Sequence, residues 1–135
     1  MQYPLQSDDT GKLVLRLTLG ILMVLHGIAK VMNPDAAMGG ISGMLAAKGL
    51  PAFIAYGAYV GELLAPLMII AGVFSRIGGL LIAVNMLFAI ALAHSAQIFT
   101  LGKQGGWTLE LQGFYLFCGV AIYFLGSGRF AAKPD

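Results

Sequence analysis

Residues 13–31 read Leu-Val-Leu-Arg-Leu-Thr-Leu-Gly-Ile-Leu-Met-Val-Leu-His-Gly-Ile-Ala-Lys-Val. As a helix this stretch extends about 28 Å, close to the thickness of the hydrocarbon core of a bilayer. Its polar members are not scattered. At 100° per residue Arg16, Met23, His26 and Lys30 fall within one stripe narrower than a third of the circumference, leaving an apolar face opposite. A spanning helix with such a seam turns it toward other helices, because a charged group at bilayer depth costs roughly 2.5 to 3.5 kcal/mol.

The rest of the chain has the same character. Of 135 residues 59% are apolar and 10% charged, and the mean hydropathy is +0.85. This composition belongs in lipid. The length allows about four spans with short connections, and the reading is an all-α integral membrane four-helix bundle forming one domain over residues 1–135. The net charge of +2 comes from dispersed residues without a basic run, which gives no footprint for nucleic acid. Cys118 is the sole cysteine, so the chain has no internal disulfide and no thiol pair for exchange chemistry. Asp8 and Asp9 stand where a secretory signal would carry cations, so the first span reads as uncleaved, with Ser7, Asp8, Asp9 or Thr10 as its cap.

After Val31, Asn33-Pro34-Asp35 is a helix start and Gly49 with Pro51 a stop. The segment between them is short and glycine-rich, and reads as a surface helix over the mouth of the bundle, in position to act as a lid. The second span covers residues 52–74, with Glu62 near its centre, Tyr59 and Pro66 on the same face, and a Gly57/Gly61 pair spaced for close packing. The third covers 77–99 and holds Asn85 and His94 on opposite faces, which assigns them to different sites. A loop with Trp107 as an interfacial anchor leads to the fourth span, residues 109–125. Lys12, Arg16, Arg76, Arg129 and Lys133 gather on one side and Lys30, Lys48 and Lys103 on the other. The positive-inside rule then puts both termini in the cytoplasm of a bacterial inner membrane, with Arg16 and Arg76 as topology signals.

Threading the spans in alternate directions sets Glu62 near the midplane, His26 about 5 Å outward, and Lys30, His94 and Glu110 about 10 Å outward. All five occupy one half of the bundle. A carboxyl at the midplane is either protonated or matched to a cation such as His26 or Lys30, and both states suit proton exchange. Glu62 and His26 are therefore the candidate proton-exchanging pair, with Lys30, Tyr59, His94 and Glu110 as further ligand-binding candidates. Asn85 reads as interhelical glue. Two histidines and two carboxylates could in principle bind a metal, and the two histidines a haem between the first and third spans. The spacing lacks Glu-x-x-His or any other metal signature, so neither is favoured. Phosphate loops, Ser/His/Asp trios and dinucleotide fingerprints are absent from the sequence.

Several short motifs in order resemble the DoxX family of small bacterial inner-membrane proteins. They are Leu25-His26-Gly27 with Lys30, Gly49-Leu50-Pro51, Glu62-Leu63 followed by Gly72 and Ser75-Arg76, Glu110-Leu111, and Gly126-Ser127-Gly128-Arg129, spread over Leu13 to Phe130. The resemblance implies a four-span bundle and a redox association, since the family takes its name from a small subunit associated with a thiosulfate:quinone oxidoreductase. Pro66 departs from the small residue that similar proteins often carry, and should kink or widen the second span. The function that follows is binding of a quinone or a similar small apolar ligand in the outer half of the bundle. A redox protein partner, surrounding lipid and self-association are the expected partners. A proton-coupled small-solute transporter and a structural subunit of a membrane complex are the alternatives.

Overall fold

The computed structural model describes residues 7–135; the start of the N-terminal tail, Met1–Gln6, lies outside the described residues. Helix α1 spans Asp8–Met32, capped by Ser7, whose Oγ accepts a hydrogen bond from the Thr10 N–H at 3.2 Å, with Asp8 and Asp9 favourably placed at the positive end. Pro34 at the first helical position opens α2, Pro34–Ala47, the short helix expected between the first two spans. Helix α3, Ala52–Ala71, changes winding along its length: a 3₁₀ start, one α-helical turn, a π-helical turn over Val60–Leu64, then α-helix from Ala65. Helix α4 is Ser75–Ala93 and α5 is Glu110–Leu125.

The helices pack in an up-down-up-down ring in which α1 and α4 each touch both α3 and α5. Leu19, Met23, Ile69, Ile82, Met86 and Ile122 fill the centre. Helices α4 and α5 pack backbone to backbone, where a Cβ on Gly79 or Gly119 would come within 2.5 Å of the other's carbonyl oxygen. Outward-facing residues are apolar, as Leu22, Leu67, Leu80, Leu87, Phe117 and Phe124 show. Helices α1, α3 and α4 are long and apolar enough to cross a membrane, and α5 is an equally apolar helix of 16 residues running beside α4. The fold is an all-helical membrane bundle.

Several sequence expectations are corrected here. The second helix ends at Ala71 rather than residue 74, because Gly72 enters the left-handed region (φ 77°) and its N–H and that of Val73 both donate to the Met68 carbonyl. The third ends at Ala93 rather than residue 99; the polar run after it folds as a 3₁₀ turn at Ser95–Gln97 and a loop closed by a Leu101–Trp107 bridge. Trp107 folds onto Gly113 of α5 and donates to the Ile98 carbonyl at 2.7 Å, clasping the loop. Gly57 faces open space, and only Gly61 of the expected pair lies at a tight contact, against Asn85.

Arg16, read from the sequence as a topology signal, is also built into the fold. It is 1% exposed, and its guanidinium donates to the carbonyls of Ile69 (2.9 Å), Ser127 (2.9 Å) and Phe130 (2.8 Å), with a longer contact to Ile70. Arg76 likewise serves the fold, donating to the Tyr123 and Phe124 carbonyls at the end of α5 and to the Asp135 backbone oxygen. Residues 126–135 fold back across this end of the bundle, opposite α2, with Ala132 and Lys133 N–H groups bonded to the carbonyls of Ala71 and Gly72.

Candidate functional site

Glu62 sits in the π-helical turn of α3. Pro66, which has no N–H, follows four residues later and cannot complete the α-helical bond to the Glu62 carbonyl. The widened turn is what the sequence anticipated from Pro66. Against it lies Gly27 of α1, where a side chain would collide with the Glu62 carbonyl, so the missing Cβ lets the two backbones meet. This closeness brings Lys30, one turn further along α1, to Glu62: Nζ to Oε1 is 2.6 Å. From the other side Asn85 of α4, packed on Gly61, donates from Nδ2 to Glu62 Oε2 at 3.2 Å. The Glu62 carboxylate, in a residue only 7% exposed, is thus held by one cation and one amide from two different helices.

The cluster borders a cavity of about 530 Å³ in the half of the bundle that α2 covers. Its other walls are mainly apolar and aromatic, including Met23, Met86, Phe88 and Tyr115, with Leu45 of α2 and Ala55 of α3 in the roof. His26 lines the same cavity, but its imidazole is exposed and meets the Tyr115 ring edge-on (centroids 5.8 Å apart, planes at 83°); it makes no hydrogen bond to Glu62. The expected Glu62–His26 partnership is therefore shared occupancy of a cavity, and the cation that reaches the acid is Lys30. A lysine stem of four carbons spans the gap that a ring one turn lower does not.

The remaining candidates separate. His94 ends α4, its Nδ1 2.8 Å from Gln97 Oε1, and lines the cavity from the loop side. Asn85 and His94, expected on opposite faces, both line it, because the backbone leaves the helical path at His94 (φ −132°, ψ 14°) and the 100° periodicity stops there. Tyr59 is not part of its wall; its hydroxyl donates to the Lys30 carbonyl at 3.4 Å and ties α3 to the end of α1. Glu110 lies elsewhere, exposed in the first turn of α5 and bordering a separate groove with Trp107 and Phe117. No group of three or more His, Cys, Asp or Glu side chains converges as a metal site among the described residues. Asn85 is the site residue that sequence reasoning left out as glue; its proximity to Glu62 depends on Gly61, and only the packing of α3 on α4 reveals it.

This is a helical membrane protein with an acid–amine–amide cluster opening on an apolar cavity. The DoxX family model matches residues 11–95, which hold all but the first turn of α1, the whole of α2 to α4 and the whole cluster, and the chain belongs to the DoxX family. The motifs at Glu110 and Gly126–Arg129 fall beyond the matched segment. The chain is 33% identical over 85 residues to a Bacillus subtilis (strain 168) protein named "Putative oxidoreductase CatD", a match covering 63% of this chain and 60% of that one. No solved structure matches significantly.

Proposed function

We propose that this protein is a redox-associated subunit of a bacterial plasma membrane that holds a quinone or a closely similar lipophile in the cavity beside Glu62. The observation that carries the reading is the Lys30–Glu62–Asn85 cluster at the edge of a cavity of about 530 Å³ with otherwise apolar walls. That volume lies within the usual range for small-molecule sites, which combine apolar walls with a few placed polar groups. A quinone carbonyl is an acceptor and the corresponding quinol hydroxyl a donor. Lys30 Nζ has donors beyond the one given to Glu62, and the Glu62 carboxylate has spare acceptor capacity, so the cluster can serve both oxidation states. Reduction takes two electrons and two protons; the protons can pass through Lys30 and Glu62, with His26 at the exposed edge, while the electrons come from a redox partner protein.

Family membership and the name of the Bacillus subtilis relative support the redox association. The chain spans 60% of that relative's length, so its activity is part of this proposal rather than a premise of it. Residues 7 and 135 lie at the same end of the bundle, which we place in the cytoplasm, with Lys12, Arg129 and Lys133 as the outward cations of that side.

The test is mass spectrometry of lipid extracted from the purified protein, with an absorption spectrum of the same sample. Stoichiometric quinone that is lost in Glu62→Gln, the fold being intact, is the expected result. A Soret band would replace quinone by haem. An empty protein that fails to bind added decylubiquinone yet carries protons across liposomes would overturn the reading in favour of a transporter.

A further inference from the structure

Resting on the lipophile-binding reading above, we infer that the cavity is filled sideways from the bilayer, through the seam between α3 and α4, and that α2 is a fixed roof rather than a gate. The roof is closed. Leu45 of α2 is 0% exposed and Ala55 beneath it 1%, and both line the cavity, so the end facing the aqueous side is plugged by apolar side chains. The flank differs. Val60 on α3 and Val84 and Phe88 on α4 also line the cavity, yet are 40%, 43% and 45% exposed. A residue that faces both the cavity and the outside marks its rim, and this rim is wholly apolar and lies on the lipid-facing side of two helices.

The chemistry behind this rim suits the passage of an amphiphile head first. Val60 and Val84 share the cavity lining with Glu62 and Asn85, so a head group that has crossed the seam finds the Asn85–Glu62 hydrogen bond within the same cavity. Gly57, with nothing within 4 Å of where its Cβ would stand, leaves clearance beside this opening. The opposite flank, between α1 and α5, is bounded by Leu111 and by His26, whose imidazole an alkyl chain would have to desolvate. The ligand class is therefore an uncharged, membrane-dissolved molecule with a hydrogen-bonding head.

The experiment uses the full chain in phosphatidylcholine vesicles with decylubiquinone as the probe. Trp107 is the sole tryptophan; in a Trp107→Phe background, Phe88→Trp reports arrival by saturable quenching. The rate of quenching should fall in proportion as lipid is added at constant total decylubiquinone, because it follows the mole fraction in the membrane. Val84→Phe should slow arrival by about fivefold, the factor given by roughly 1 kcal/mol of added barrier, without changing the final amplitude. Met44→Phe in the roof and Leu111→Phe on the opposite flank should leave the rate unchanged. A rate indifferent to lipid dilution, or slowed by Met44→Phe or Leu111→Phe in place of Val84→Phe, overturns the route while leaving the binding site standing. No saturable quenching at any decylubiquinone concentration overturns the binding reading, and the route with it.

Discussion

Lys30, Glu62 and Asn85 join three helices through one carboxylate, and the energetics of that arrangement are asymmetric. Removing one partner of a buried pair leaves an uncompensated charge, whereas removing both leaves an apolar contact. Lys30 is a quarter exposed, so Lys30→Met should destabilise the protein by about 1–3 kcal/mol, and Lys30→Met with Glu62→Leu should regain part of that loss, Asn85 Nδ2 being left without its acceptor. Denaturation of the single and double variants in detergent measures the difference; equal losses in both would show that the ion pair contributes little. Arg16 presents the same physics with carbonyls in place of a carboxylate as its hydrogen-bond acceptors. Its four acceptors are backbone carbonyls, so Arg16→Met strands several of them in an apolar interior and should cost about 3 kcal/mol or more. Arg16→Lys should rescue little, because a single ammonium cannot reproduce the planar fork, and a thermal melt equal to the parent's would refute this. Sequence fixes the height of Arg16 in the bilayer; it carries no signal that carbonyls 111 and 114 residues away arrive at the same point.

At the scale of elements, α3 determines whether the site exists. The π-helical turn holds one residue more than an α-helical path would, and Pro66 keeps it there by withholding an N–H from the turn before it. Pro66→Ala restores that donor. The helix then has the option of an α-helical register, which rotates everything N-terminal to it by about 100° and takes Glu62 away from Lys30. The expected outcome is a variant that still folds but has lost bound lipophile, measured by melting and lipid extraction together; retained binding would mean that the turn is held by packing alone. Gly27 makes the complementary case. A methyl group there meets the Glu62 carbonyl, which is backbone and cannot swing aside, so Gly27→Ala should cost about 1–3 kcal/mol. The spans themselves were legible because hydropathy and helix length bear directly on them. The ends of α3 and α4 were not, since Gly72 stops α3 by backbone conformation while the apolar run continues through Val73 and Phe74, and α4 stops at His94, ahead of a short polar run that still leads to the apolar Ile98 and Phe99.

For the whole molecule, the two ends of the described chain close one mouth of the bundle together, and the cavity occupies the other. Arg129 N–H donates to Asp9 Oδ1, Asp135 takes hydrogen bonds from the N–H groups of Ser127 and Arg76 and gives its own N–H to Ser127 Oγ, and Ser127 and Phe130 supply carbonyls to Arg16. The glycine-rich run at 126–129 reads in sequence as the end of a span, which is correct but incomplete. The polar groups that look like an exposed tail are the inner lining of a cap, and their partners come from α1, the start of α4 and the α3–α4 turn. A chain ending at Leu125 keeps every spanning helix and every residue of the Lys30–Glu62–Asn85 cluster, yet leaves Arg16 without the Ser127 and Phe130 carbonyls and the Ala71 and Gly72 carbonyls without the Ala132 and Lys133 N–H groups. The buried Arg16 loses two acceptors at about 1–3 kcal/mol each, a large part of the stability of a domain this size. The truncated chain should therefore insert but melt far below the parent and extract as aggregate, as read by size-exclusion chromatography in mild detergent. If it ran as a well-folded monodisperse species with unchanged melting, the tail would be an appendage and Arg16 would have to be satisfied by α3 alone.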